Sequence, residues 1–314
     1  MSSNKSPIKF TSFGFINFAA LLMSGLLISS CVNKAEIGSR GNPIRLYFTP
    51  SVDADTITTN SNKFVKFLEE ETGYYFRTGI PTNYVAVVEA FGSGRADIGV
   101  MNSFGYLMAN DRYNAQAKLR VIRHGQDFYQ GQIIVRADSG IESIADLQGV
   151  NFAFTDASST SGYMFPLKIL RENNVQLGNT VFAYKHDNVV TMVYQGQVQA
   201  GATYHSPPDE EGNIRDARTR VYTQFPDVEE KVRILKITEP IPNDPFVFRD
   251  GLPEDVTQTI IAAIKKYVDT EEGQNVFRNI YSVEGIVDAT DEDYNTLREM
   301  IDAIGIDTNR LLAN

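Results

Sequence analysis

The sequence predicts an α/β protein built as two similar lobes. Strand-like and helix-like segments alternate along the chain, the pattern of α/β layers with largely parallel sheets. A weak internal repeat sets Tyr84–Asn102 against His186–Tyr204 at a constant offset of 102 positions. The length of 314 residues suits about two domains at roughly 150 residues each.

The elements follow in order. Ile44–Phe48 reads as the first strand, and Phe64, Phe67, Leu68 and Glu71 place a helix that ends at Gly73. Tyr84, Val87, Val88 and Phe91 form a helical stripe stopped by Gly92-Ser93-Gly94, and Asp97–Met101 is a short buried strand. Gln132–Arg136 and Phe152–Thr155 are further strands, the second followed by a helix over about Ser161–Asn173. Val189 and Val193 mark a helix ending at Gly196, and Ala200–Tyr204 is the next strand. Val256, Ile260, Ile261, Ile264 and Val268 lie on one face of an amphipathic helix, and a last helix covers about Asp291–Ile304.

In the repeat, Tyr84 falls on His186, Gly94 on Gly196, Gly99 on Gly201 and Asn102 on Tyr204. Phe48-Thr49-Pro50 and Phe154-Thr155-Asp156 form a second echo. Each copy is a helix, a Gly-containing turn, a buried strand of small residues, and then polar residues at the strand's C-terminal end. Ligands of open α/β sheets bind beyond such ends. Two lobes facing each other therefore make a cleft lined by polar residues from both.

Composition narrows the function. The chain is 42% hydrophobic and 22% charged, as an ordinary globular protein is. With 29 Lys and Arg against 39 Asp and Glu its net charge is −10, so it lacks the basic excess of a nucleic-acid footprint. A single Cys forbids an internal disulfide, and three scattered His do not suit a metal site. No cofactor is implied.

The N-terminus reads as a targeting signal. Lys5 and Lys9 precede the mostly apolar stretch Phe10–Leu27, and no acidic residue occurs before Glu36. Leu27-Ile28-Ser29-Ser30-Cys31 resembles the lipobox of bacterial lipoproteins. That resemblance implies a signal peptide over residues 1–30, cleavage before Cys31, lipids on Cys31 and a tether over residues 31–42. Such a chain works outside the cytoplasmic membrane, in the periplasm or at the cell surface, held to a membrane through the lipid anchor only.

The segment richest in chemistry is Phe152-Ala153-Phe154-Thr155-Asp156-Ala157-Ser158-Ser159-Thr160-Ser161-Gly162-Tyr163. A strand runs into hydroxyl residues and Gly, then into a helix. Unpaired N–H groups at a helix start, with hydroxyls and a Gly allowing close approach, make an anion cradle; a simple N-cap is the alternative. There is no Walker loop and no G-x-S-x-G.

Several segments together carry a family resemblance: Gly131–Ile141, Ser143–Gly149, Phe154–Tyr163, Tyr84 in Asn83–Glu89, Tyr129 in Phe128–Gly131, His186-Asp187, and Ile241–Pro245. Over about residues 42–270 the chain resembles the phosphate/phosphite/phosphonate substrate-binding proteins of ABC importers. The resemblance implies a two-lobed periplasmic-binding-protein fold of type II, crossed twice by the chain, with two mixed or parallel sheets flanked by helices. Residues 43–128 and 240–314 would form lobe 1, and residues 129–239 lobe 2. It implies capture of a small phosphorus oxyanion by hinge closure and delivery to an ABC permease, by a monomer that is not an enzyme. Ser159, Thr160 and Ser161 would bind phosphonyl oxygens and His186 would donate to another. Tyr84 and Tyr129 would wall the pocket, and Asp244 would meet a protonated oxygen or an ammonium group.

One departure bears on the ligand. Aminophosphonate binders carry an acid after the strand that ends near Tyr204, where this chain has Tyr204-His205-Ser206-Pro207-Pro208. A buried ammonium needs such a partner. Tyr204 and His205 instead suit phosphite, methylphosphonate or phosphate. Asn102-Ser103 departs from the Gly-Pro often found at the end of the first-lobe strand. Rival readings are presentation of an oxyanion to a membrane sensor, an enzyme on the same fold using a His186–Ser161 pair, and a non-phosphorus ligand.

Overall fold

The computed structural model describes residues 1–2 and 35–305. Cys31 and, from residue 3 onward, the segment read as a targeting signal lie outside the described residues. Among the described residues no helix is long and apolar enough to cross a membrane.

The chain opens with β1 (Ile44–Phe48), α1 (Ala54–Thr72), β2 (Phe76–Gly79), α2 (Tyr84–Gly92), β3 (Ile98–Val100), α3 (Ser103–Tyr113) and β4 (Gln116–Ile122). It then builds β5 (Phe128–Arg136), β6 (Phe152–Phe154), a π-helical turn (Thr160–Met164) running into α4 (Phe165–Glu172), β7 (Thr180–Phe182), α5 (His186–Tyr194), β8 (Ala200–His205), α6 (Val228–Lys231) and β9 (Val232–Pro242). It returns through β10 (Pro245–Phe248), α7 (Glu254–Val268), α8 (Glu271–Tyr281), β11 (Gly285–Asp288) and α9 (Asn295–Ile304).

These elements form two sheets, ordered β11-β4-β10-β3-β1-β2 and β7-β6-β8-β5-β9. Each is mixed rather than largely parallel. In the first, β1 pairs in parallel with β2 and β3, while β10 runs antiparallel to both β3 and β4. In the second, β6 pairs in parallel with β7 and β8, while β5 runs antiparallel to β8 and β9. The reason is the double crossing. The chain leaves the first sheet after Ile122 and returns at Pro245, so the returning strand enters against the direction of its neighbours.

The two crossings lie side by side. Asn243 N–H donates to the Asp127 carbonyl at 3.0 Å, and Val121 N–H to the Asp244 carbonyl at 3.1 Å. Beyond them, β5 and β9 continue as a pair from Phe128 opposite Pro242.

Apolar periodicity explains the packing. Ile260, Ile264 and Tyr267 of α7 and Phe64 of α1 bury against the first sheet, and Phe64 meets Tyr267 and Phe277 at ring separations of 5.3 and 4.9 Å. Each such side chain contributes about 1.5–3 kcal/mol by burial. On the sheet's other side, the apolar cluster around Phe104 and Tyr294 reaches Met164 and Phe165 of the second lobe.

The repeat is present in three dimensions. Tyr84 and His186 are the first residues of α2 and α5, and Gly94 and Gly196 both take positive φ, 64° and 72°, after those helices. A Cβ on Gly99 would stand 2.9 Å from Phe91, and one on Gly201 would stand 2.6 Å from Val189. Each helix thus packs closely on a strand only glycine can furnish.

Candidate functional site

Between the lobes lies a cavity of about 70 Å³. At about 10–15 Å³ per water it holds roughly five waters, the scale of one small oxyanion. Part of its wall comes from the C-terminal ends of a parallel strand pair in each sheet: Thr49 after β1 and Asn102 after β3, Ser159 and Ser161 after β6, and Tyr204 with Ser206 at the end of β8.

The loop after β6 is shaped by its own polar groups. Asp156 Oδ1 accepts from Ser158 N–H and Ser158 Oγ, both at 2.9 Å, and Ser159 Oγ accepts from Gly162 N–H at 3.1 Å. Ser159 therefore caps the helix start, where the first N–H groups have no intrahelical acceptor. Two glycines let the loop sit there. A Cβ on Gly162 would stand 2.2 Å from Thr155 Oγ1, and one on Gly131 of β5 would stand 2.6 Å from the Ser161 carbonyl oxygen.

Tyr84 enters from the other lobe on α2, whose start is capped by Asn83 Oδ1 accepting Ala86 N–H at 2.8 Å. Its hydroxyl is buried with no partner among the described residues, and burial raises its pKa well above the ordinary phenol value. Tyr129, also pushed up by burial, has its hydroxyl beside Ser161 and Thr160, and its ring lies 5.6 Å from the Arg123 guanidinium.

His186 stands at the start of α5. Its Nδ1 lies 2.8 Å from Thr203 Oγ1 and 3.2 Å from Thr155 Oγ1, and the Thr155 hydroxyl donates to the Ala202 carbonyl. With Nδ1 accepting a hydrogen bond from the Thr203 hydroxyl, the neutral ring carries its proton on Nε2, which is then a donor. Burial, with the Arg220 and Arg123 cations, pushes the imidazole pKa down to about 3, so the ring is uncharged at neutral pH.

Three charged residues complete the wall. Asp244 and Arg123, one from each crossing, pair at 2.7 Å, and Arg123 also donates to the Tyr281 carbonyl at 2.7 Å. The second carboxylate oxygen, Asp244 Oδ1, is buried without a partner among the described residues. Arg220 donates from Nε to Tyr204 Oη at 3.1 Å and approaches Ser282 Oγ of the first lobe at 3.5 Å. Tyr204 meets His186 edge-on at 5.0 Å.

The structure thus places Tyr84, Tyr129, Ser159, Ser161, His186, Tyr204 and Asp244 around one cavity. Thr160 is turned away. Its buried Oγ1 accepts from Asn102 Nδ2 and Phe104 N–H, both at 3.0 Å, so its side chain ties the lobes together. His205, grouped with Tyr204 in the sequence reading, also leaves the cavity wall, because strand alternation turns it onto Gln132 Oε1 at 3.0 Å. Sequence reasoning missed Arg123, Arg220 and Tyr281. A conspicuous signal existed only for Asn102, through its departure from Gly-Pro.

A two-lobed α/β fold of mixed sheets, with a small polar cleft at the strand ends, defines a type II periplasmic binding protein. Residues 46–294 match the family model of the phosphonate ABC transporter periplasmic substrate-binding proteins, and the chain belongs to that family. It is 24% identical over 311 residues to the phosphate-import protein PhnD of Mycolicibacterium smegmatis, covering 89% of this chain and 93% of that one. Its fold is similar to that of a binding component of an ABC phosphonate transporter from Pseudomonas aeruginosa, with a TM-score of 0.72, 19% identity, and 86% and 92% of the two chains covered. It is similarly close to PhnD1 of Prochlorococcus marinus in complex with methylphosphonate, with a TM-score of 0.71, 16% identity, and 83% and 97% covered. The protein is an extracytoplasmic substrate-binding component of a phosphonate-type ABC importer. Neither the sensor nor the enzyme reading is favoured.

Proposed function

We propose that the cavity takes one small phosphorus oxyanion with a singly protonated head group, held by Ser159, Ser161, His186, Tyr84, Tyr129 and Asp244. One observation carries this reading. Tyr84 Oη and Asp244 Oδ1 are both buried, both unpartnered among the described residues, and both on the wall of one cavity. An unpaired buried polar group costs about 1–3 kcal/mol, so a ligand that satisfies both gains that amount back. Tyr84 donates to a P–O⁻ oxygen, and Asp244 accepts from a P–OH. Sulfate has no proton to give at neutral pH and meets Asp244 as a like charge. The loop after β6 supplies hydroxyls and helix-start N–H groups, and His186 supplies a neutral donor.

Closure of lobe 2 (residues 129–239) onto lobe 1 (residues 43–128 and 240–314) excludes water and strengthens these bonds. The protein acts as a monomer, held at the membrane through an acylated Cys31, and hands its ligand to an ABC permease. It does no chemistry on the ligand. The partners of His186 are Thr155 and Thr203, with no carboxylate orienting the ring among the described residues, so the Ser-His-acid geometry of a hydrolase is not assembled.

Calorimetric titration with methylphosphonate, phosphite, phosphate, 2-aminoethylphosphonate and sulfate tests the site. Sulfate is expected to bind at least a hundredfold more weakly than methylphosphonate, and Asp244→Asn to narrow that gap. Equal binding of the two by the wild type would remove Asp244 from the ligand. Cys31→Ala is expected to release the protein from the membrane fraction.

A further inference from the structure

The charges on the cavity wall do not balance. Asp244 is held by Arg123 at 2.7 Å. His186 is neutral. Arg220 forms no ion pair among the described residues; its hydrogen-bond contacts are Tyr204 Oη at 3.1 Å and Ser282 Oγ at 3.5 Å. Asp187, in the first turn of α5, acts on it only through space. Nε is spent on the tyrosine, which leaves the Nη edge of the fork largely uncommitted. That edge can grip a carboxylate or phosphoryl group in a bidentate pair.

Asp244 and Arg220 also sit in different neighbourhoods. Asp244 pairs with Arg123 at the crossings, whereas Arg220 bonds Tyr204, whose ring meets His186 on α5. A head group bound at Asp244 and the hydroxyl cradle therefore leaves the cation at Arg220 for whatever the phosphorus carries.

We propose that Arg220 is a specificity-determining residue that selects phosphonates with a short anionic tail, such as a carboxylate, and rejects those with an ammonium tail. This rests on the reading of the cavity as a phosphonate site and adds the class of substituent. A cation on the wall with no ion-pair partner among the described residues repels an ammonium and supplies the counter-charge a tail carboxylate needs when it leaves water.

The test is calorimetry on the full-length chain in detergent with phosphonoacetate, ethylphosphonate and 2-aminoethylphosphonate, which share a two-carbon scale and differ in tail charge. The wild type is expected to bind phosphonoacetate at least tenfold more tightly than ethylphosphonate, and 2-aminoethylphosphonate at least tenfold more weakly. Arg220→Gln is expected to bring the three within about threefold of one another. Arg220→Lys keeps the charge while losing the fork, and is expected to retain rejection of the ammonium. Wild-type binding that ignores tail charge overturns the inference, as does an Arg220→Gln variant that weakens all three equally; the residue would then only brace the lobes. Absence of heat with all three in the wild type, with Arg220→Gln equally silent, overturns the phosphonate reading and this inference with it.

Discussion

Asn102 spans the cleft, and its removal separates a ligand contact from a latch. Its Nδ2 donates to the Ser158 carbonyl at 2.6 Å and to Thr160 Oγ1 at 3.0 Å, and both partners belong to the other lobe. A buried hydrogen bond contributes about 0.5–1.5 kcal/mol net, so two make about 1–3 kcal/mol. That energy exists only with the lobes together, because in an open form the same groups are hydrated. Asn102→Ala should therefore raise the dissociation constant about 5- to 150-fold, at 1.4 kcal/mol per tenfold. Its unfolding free energy without ligand should stay within about 0.5 kcal/mol of wild type, as for a surface change. Thr160→Val removes the acceptor from the opposite side. If Thr160 acts through Asn102, the double variant is no weaker than the worse single one, with a coupling of about 1 kcal/mol. Titration of all four proteins with one phosphonate, beside urea unfolding without ligand, decides the matter. Additive losses would mean that Thr160 acts on the ligand directly, as the sequence reading had it, or through Tyr129, and would refute the latch.

Three further outcomes follow from the same geometry. His186 titrates at about 3 when folded and near 6.5 when unfolded, so the unfolded chain takes the proton first; stability should fall as pH drops below about 6.5, by about 2 kcal/mol at pH 5, and His186→Gln should remove that loss in urea titrations at the two pH values. Gly131→Ala puts a Cβ 2.6 Å from the Ser161 carbonyl oxygen, a backbone atom that cannot turn aside, so it should cost about 1–3 kcal/mol of stability by thermal melting and weaken binding by displacing the cradle. Tyr84→Phe deletes a hydroxyl with no partner among the described residues, so melting should be unchanged while affinity falls about tenfold; a lowered melting temperature with unchanged affinity would make Tyr84 a core residue.

Much of this was legible in the sequence because it rests on local rules. Helix stripes, glycine stops and the Ser-rich loop each follow from a few adjacent residues, and the repeat aligned Tyr84 with His186 without reference to contacts. What stayed hidden depends on the return of the chain. β10 is four buried residues beginning with Pro, too short to show a period, yet its antiparallel entry between β3 and β4 makes the sheet mixed. α3 is buried over its first seven residues and so shows no amphipathic stripe. Arg218 and Arg220 sit two residues apart in one turn and look alike. The first is consumed by Asp216 at 2.8 Å, and the second faces the cavity. Asp216 is near both in sequence, and what draws Arg220 to the cavity instead is Tyr204 and Ser282, distant in sequence.

The repeat also explains how a chain of net charge −10 holds an anion. Thr49 Oγ1 donates to the Val100 carbonyl and Thr155 Oγ1 to the Ala202 carbonyl, each at 3.1 Å, so the same bond ties neighbouring strand ends in both lobes. Beside each tie a helix begins at the cavity, α2 with Tyr84 and α5 with His186. Helix starts carry about half a positive charge each, acting at contact distance, whereas surface carboxylates are screened over about 8–10 Å. The attraction is built from dipoles and neutral donors that the frame repeats. The side chains placed on that frame differ, a phenol in one lobe and an imidazole in the other, and in that difference the symmetric frame becomes an asymmetric binding site. On the proposed reading the oxyanion head is met by the repeated helix starts together with Asp244, and discrimination among substituents falls to Arg220, a residue the repeat does not share.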